Sequence, residues 1–146
     1  MILKYTPAQI IAALIREKGI GGMPGEKNVQ WPVFAAPLPD TPDNAISIRN
    51  NATPTKGRIQ RTGESIFQPG ISVRVRDTRN DSAQDKANEI AALFETVHRV
   101  QIIVKDKVYR IDGIHLTTSP VDTGQDPLRR HVFSSDYITT ICEIEP

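Results

Sequence analysis

The most reactive side chains of this sequence are three histidines, one cysteine and a Ser-Ser-Asp run, and their spacing decides what chemistry they support. His98, His115 and His131 stand far apart, and none belongs to a His-x-x-His or His-Glu-x-x-His pattern. No helix face therefore gathers two of them as metal ligands. Ser134, Ser135 and Asp136 follow His131 closely, but neighbours on a strand point to opposite faces, and no strained nucleophile elbow precedes them. A hydrolase triad does not follow from that run. Gly19-Ile20-Gly21-Gly22 comes after a helix instead of opening one, so its amides cannot cradle phosphate as a P-loop does. Cys142 is the only cysteine. It excludes an internal disulfide, suits a reducing compartment, and on an alternating strand reads as a small buried hydrophobe. The expectation is a chain with no catalytic residue, no metal ligand and no cofactor.

What remains is charge placed at regular intervals. Arg74 and Arg76 alternate with Val73 and Val75, which predicts a strand with one apolar and one cationic face. Asp77 and Asp81 flank the turn that follows, and Asp126 ends the Gly124-Gln125-Asp126 loop. These five residues, Arg74, Arg76, Asp77, Asp81 and Asp126, are the candidates for a polar subunit or partner contact. The plainer alternative makes the arginines a solvated strand face and Asp126 a turn residue, with Arg129 and Arg130 anchoring the loop. Lys56, Arg58 and Arg61 lie in residues 51–63, a stretch without an acidic side chain, and predict a mobile basic arm. That arm has no aromatic residues to stack on single-stranded bases. It is either solvated loop or a contact with a partner or a phosphate backbone.

The elements that must position these groups are legible in part. Thr6-Pro7-Ala8-Gln9 combines a hydroxyl cap, proline at the first helical position and a glutamine three residues on, which starts a helix. Ile10, Ile11, Leu14 and Ile15 supply its apolar stripe, and Gly19 ends it. Val29, Trp31 and Val33 suggest an edge strand carrying Pro32, and Ala45–Arg49 a short strand. Ser82 caps a second helix whose apolar side is Ala83, Ala87, Ile90, Ala91, Phe94 and Val97. Val100–Val104 and Val108–Leu116 form a hairpin, residues 119–130 a loop, and His131–Ile144 a long central strand. The fold class is α+β: a mostly antiparallel sheet, two helices packed on one face, and a long loop and arm insertion.

The 146 residues suit a single domain over 1–146, with a Pro-rich and basic insertion at 35–65. The 18 basic and 17 acidic residues nearly cancel, so no global field marks nucleic acid or membrane as the main partner. No run approaches the ~20 apolar residues of a membrane span, and the first residues lack the pattern of a cleaved secretory signal. A soluble protein is expected.

Arg74-Val75-Arg76, the helix from Ser82 to Val97, Tyr109-Arg110-Ile111, Pro120 to Asp126 with Arg130, and Phe133 to Tyr137 together resemble the phage tail terminator proteins. That family is also described as the minor capsid or tail completion proteins of long-tailed phages and prophages. The resemblance covers about residues 70 to 145 and, more loosely, the opening helix. The segment from Ala35 to Gly63 departs from it, as does Ser135-Asp136-Tyr137 where an Asn-Tyr pair is common. The resemblance implies a structural virion protein assembled in the bacterial host cytoplasm, without catalysis. It implies a homo-oligomeric ring, typically a hexamer, that caps the head-proximal end of the tail tube and stops its growth. The implied partners are further copies of the chain, the major tail tube protein and a head-tail connector or neck protein, with DNA contact in the lumen. Two other readings stay open: another connector or stopper of the neck, and a small nucleic-acid-binding module, which predicts salt-sensitive DNA retention.

Overall fold

The computed structural model describes residues 3–26, 29–51 and 66–144. The first helix, α1 (Pro7–Glu17), opens with the expected reciprocal cap: Gln9 N–H donates to Thr6 Oγ1 at 3.3 Å, and Thr6 N–H to Gln9 Oε1 at 2.9 Å. Gly19, at φ +75°, takes the left-handed conformation beyond its end. The strands are β1 (Val33–Phe34), β2 (Ala45–Asn51), β3 (Ile66–Phe67), β4 (Gly70–Asp77), β5 (Val100–Val104), β6 (Lys107–Gln125) and β7 (His131–Ile144); α2 spans Asn80–Thr96. They form a sheet in the order β1-β2-β4-β7-β6-β5, antiparallel except for β1 beside β2. β3 pairs with β7 in the register that β4 follows further along. The two are one line broken at Pro69, whose carbonyl accepts from Thr139 N at 2.9 Å and Thr139 Oγ1 at 2.8 Å.

Both helices pack on one face of the sheet. Ile10, Ile11, Leu14 and Ile15 of α1 and Ala83, Ala87, Ile90 and Phe94 of α2 share one core with Ile46, Ile48, Ile71, Val73, Val75 and Ile111. Phe94 meets Tyr137 edge to face at 4.8 Å and 89°, a favoured ring geometry. Helix α1 touches both β2 and β5, strands on opposite sides of the sheet order, which requires a strongly curled sheet. The curl has a local cause. Between Ile111 and Gln125 the pairing of β6 with β7 shifts four times, each shift adding a residue to β6, and such bulges bend and twist a strand.

Three sequence expectations are corrected, the first of them by those bulges. β6 continues to Gln125, so most of the predicted loop at 119–130 is strand; Pro120 is tolerated because it lies within a register shift, between Thr118 and Val121. Helix α2 begins at Asn80, with Arg79 at the cap position and no side-chain cap bond, two residues ahead of the predicted Ser82 cap. The early strand is only Val33–Phe34; Pro32 before it has no N–H to give a ladder and makes only an isolated bridge with Gly22. A Cβ on Gly21 would lie 2.2 Å from Val33 Cγ2, so the glycine there permits a close approach.

The chain's start is fastened to the β5–β6 turn. Lys4 Nζ and Tyr5 Oη both donate to Asp106, each at 2.5 Å, and Tyr5 N–H donates to Tyr109 Oη at 3.2 Å. The Lys4 and Tyr5 hydrogen bonds hold the Asp106 carboxyl at about 2 instead of 3.8. A lowered folded-state value stabilises the fold above the unfolded value, and that contribution is lost as pH falls through about 2. A carbon-detected NMR titration of Asp106 should therefore give a midpoint near 2 in the native protein. A midpoint at the ordinary 3.8 would show the fastening to be absent in solution.

Candidate functional site

The sheet face turned away from the helices carries the polar groups. Strand alternation and register place Ala45, Ser47 and Arg49 of β2 beside Ser72, Arg74 and Arg76 of β4, and these beside Val132, Ser134 and Asp136 of β7. The Pro-rich connector, residues 35–44, is bonded to this face. Ser47 Oγ donates to Ala36 O, Arg76 Nε to Asp43 O at 3.0 Å, and Arg76 Nη2 to Pro42 O at 2.6 Å. Arg130 completes the attachment, with Nη1 donating to Asp40 O at 2.5 Å and reaching Asp43 Oδ1 at 3.4 Å.

Asp126 organises the loop that delivers Arg130. Its Oδ1 accepts from Leu128 N at 3.0 Å and Arg130 N at 2.9 Å, and its Oδ2 from Arg130 Nε at 2.8 Å. Arg129 takes a left-handed φ of 63° and Gly124 one of 101°, turning the chain tightly between β6 and β7. Burial alone would raise the Asp126 carboxyl; the Arg130 backbone and side chain overcome it and leave the group below its ordinary value. Burial, and then the charge of Arg130, lowers the Arg76 guanidinium. The cluster therefore pairs two arginines, buried to 3% and 4% exposure, with carboxylates and backbone carbonyls. Such fork-shaped donors fix geometry as well as charge. An open cleft of ≈ 400 Å³ lies beside it, lined by Leu38, Asp40, Arg74 and Thr123 among others.

The structure separates the five candidate contact residues. Arg76 and Asp126 come together in the buried cluster and are spent on the chain's own connector and loop; the outward cationic face read from the sequence is thus carried by Arg74, not Arg76. Asp77, half-buried, accepts from Thr78 N at 2.6 Å, and exposed Asp81 pairs with Arg79 at 2.9 Å on the first turn of α2. Lys56, Arg58 and Arg61 lie outside the described residues. Sequence reasoning missed Asp40 and Asp43 and gave Arg130 only an anchoring role. The Asp126-x-x-x-Arg130 spacing was the one available signal.

The remaining polar groups of this region are bonded to one another. His131 is bracketed by Asn80 Nδ2 at 3.3 Å and Gln125 Nε2 at 3.2 Å, while Asp136 accepts from Ser72 Oγ at 2.6 Å. Ser135 faces the core, opposite to Asp136. Among the described residues no group of three His, Cys, Asp or Glu side chains could hold a metal ion, and no helix is long and apolar enough to cross a membrane.

No curated protein matches the chain in sequence. Among solved structures it is similar to a chain of the virion of a native gene transfer agent particle, at 11% identity and TM-score 0.45, over 75% of this chain and 77% of that one. The family model of the bacteriophage tail terminator protein matches residues 14–143, from the middle of α1 to the end of β7. The chain belongs to the bacteriophage tail terminator protein family, and it is a structural protein of the phage tail.

Proposed function

We propose that this chain acts as a ring, of about six copies by the family resemblance, that caps the head-proximal end of the tail tube. There it stops tube polymerisation and offers the surface to which the head's neck protein joins. The observation that carries this reading is the family match over residues 14–143. The architecture is compatible with it. A ring needs two unlike faces on each subunit, and this subunit has a helical layer on one side of the sheet and a strand face on the other. Near-zero net charge, +1, lets like subunits approach.

Its partners are then further copies of the chain, the major tail tube protein and the neck protein. Arg74, with Asp77 and Asp81 at the strand-helix turn, contributes to the contact between subunits, while Arg76 and Asp126 support it from within by fixing the connector. The Lys56, Arg58 and Arg61 segment faces a neighbour or the DNA in the lumen. The test is to add purified protein to polymerising tube subunits and measure tube lengths by electron microscopy. Tubes that stop growing and carry a cap at one end support the reading; tubes that lengthen as if nothing had been added count against it.

A further inference from the structure

We propose that a second copy of this chain docks the outer stripe of its α2 on the Arg49 and Arg74 strip of the first copy's strand face. This rests on the ring reading and gives it a specific subunit contact. Arg49 lies opposite Ser72 and Arg74 opposite Ser47, so the two arginines are diagonal neighbours on one face, roughly 7–8 Å apart. Both are exposed, and neither has a hydrogen-bond or ion-pair partner among the described residues. The nearest carboxylate on this face, Asp136, accepts from Ser72 Oγ and forms no ion pair with either arginine, so the strip keeps a net positive charge that attracts anions.

The matching anions are on the opposite side of the molecule. The exposed arc of α2 carries Asp81, Asp85, Glu89 and Glu95 and no basic residue. Asp85 and Glu89 are one turn apart, roughly 5–6 Å, close to the spacing of the arginines. Asp85 has no partner among the described residues, and Glu89 is held from the side by Lys86 at 3.0 Å, with half its side chain exposed. Because the two charged surfaces lie on opposite faces, their contact is head-to-tail. Repeated, such a contact builds a ring when the rotation between copies closes and an open filament when it does not, and it is not the self-complementary contact of a two-fold dimer. Charge pairs of this kind set partner choice and encounter rate more than affinity, and like charges brought face to face are strongly disfavoured.

The experiment uses the full chain and measures the concentration midpoint of self-association, alone and on tube ends. It compares wild type, R49E/R74E, D85R/E89R and all four changes together, with thermal unfolding run on each to separate misfolding from lost contact. Each double variant should raise the midpoint by about tenfold or more, and the fourfold variant should recover assembly. R49E/R74E rings at the wild-type midpoint would overturn the contact and leave the ring reading standing. A fourfold variant no better than its parents would overturn α2 as the counter-surface. Unchanged rings with weakened retention of duplex DNA would assign the arginines to phosphate instead. Wild-type protein that never associates, even with tubes present, would overturn both the contact and the ring.

Discussion

Arg130→Ala is expected to lower the folding free energy by about 2–4 kcal/mol, because it removes a buried guanidinium together with its hydrogen bonds to a carbonyl and to two partly exposed carboxylates. The side chain is 4% exposed and makes three kinds of contact: Nε to the Asp126 carboxylate, and Nη1 to the Asp40 carbonyl and the Asp43 carboxylate. The Asp126 carboxylate keeps its two backbone donors and the more distant charge of Arg76 when Arg130 is shortened, but loses the one cation that hydrogen-bonds to it. The loss should be uneven along the chain. Amide exchange should accelerate in residues 35–44, whose attachment depends on Arg130 and Arg76, more than in α1 or the centre of β7. Arg130→Lys, which retains charge but not the fork, should recover only part of the stability. A loss below about 0.5 kcal/mol for Arg130→Ala in denaturant unfolding would mean that the cluster contributes little, as at an ordinary surface site.

Phe94→Ala is expected to cost a similar amount, about 3–5 kcal/mol, for a different reason. Phe94 is 1% exposed, projects from α2 into the common core and meets Tyr137 of β7 edge to face. Truncation removes buried apolar area and leaves a cavity that the curled sheet, tied at both ends to α1, cannot easily collapse. On the opposite side of the same helix Ala92 is exposed, and Ala92→Ser should change stability by less than about 0.5 kcal/mol. Guanidinium unfolding of the two variants makes the comparison. Equal small losses would contradict the placement of α2 against the sheet.

These residues also mark how far the sequence could be read. Phe94 was legible because α2 repeats its apolar positions at helical spacing over four turns, and burial of that stripe is what holds the helix. The same periodicity identified α1, whose capping residues all lie within one turn of each other. The alternation of Ile71, Val73 and Val75 identified β4 for the corresponding reason. The far half of β6 was not legible. Three of the four register shifts fall there and break the two-residue alternation, and Ser119-Pro120 and Asp122-Thr123-Gly124 look like turns to any local rule.

The polar cluster was only half visible. Asp126 and Arg130 are four positions apart, but Asp40 and Asp43 are 90 and 87 positions from Arg130, and no periodicity links residues that meet only when the connector folds back on the strand face. Arg74 and Arg76 show the same limit at close range. Both lie on one face of β4, yet the connector covers Arg76 and leaves Arg74 exposed. Alternation assigns a residue to a face; what covers that face is set by long-range topology.

The most direct test of a ring at the tube end is the mass of the purified protein across concentration, by sedimentation or light scattering, before and after adding purified tail tubes. A closed species of about six copies, or a monomer that assembles into such a species only at tube ends, is the expected result. A monomer at every concentration that ignores tube ends, and instead retains DNA at low salt, would contradict it.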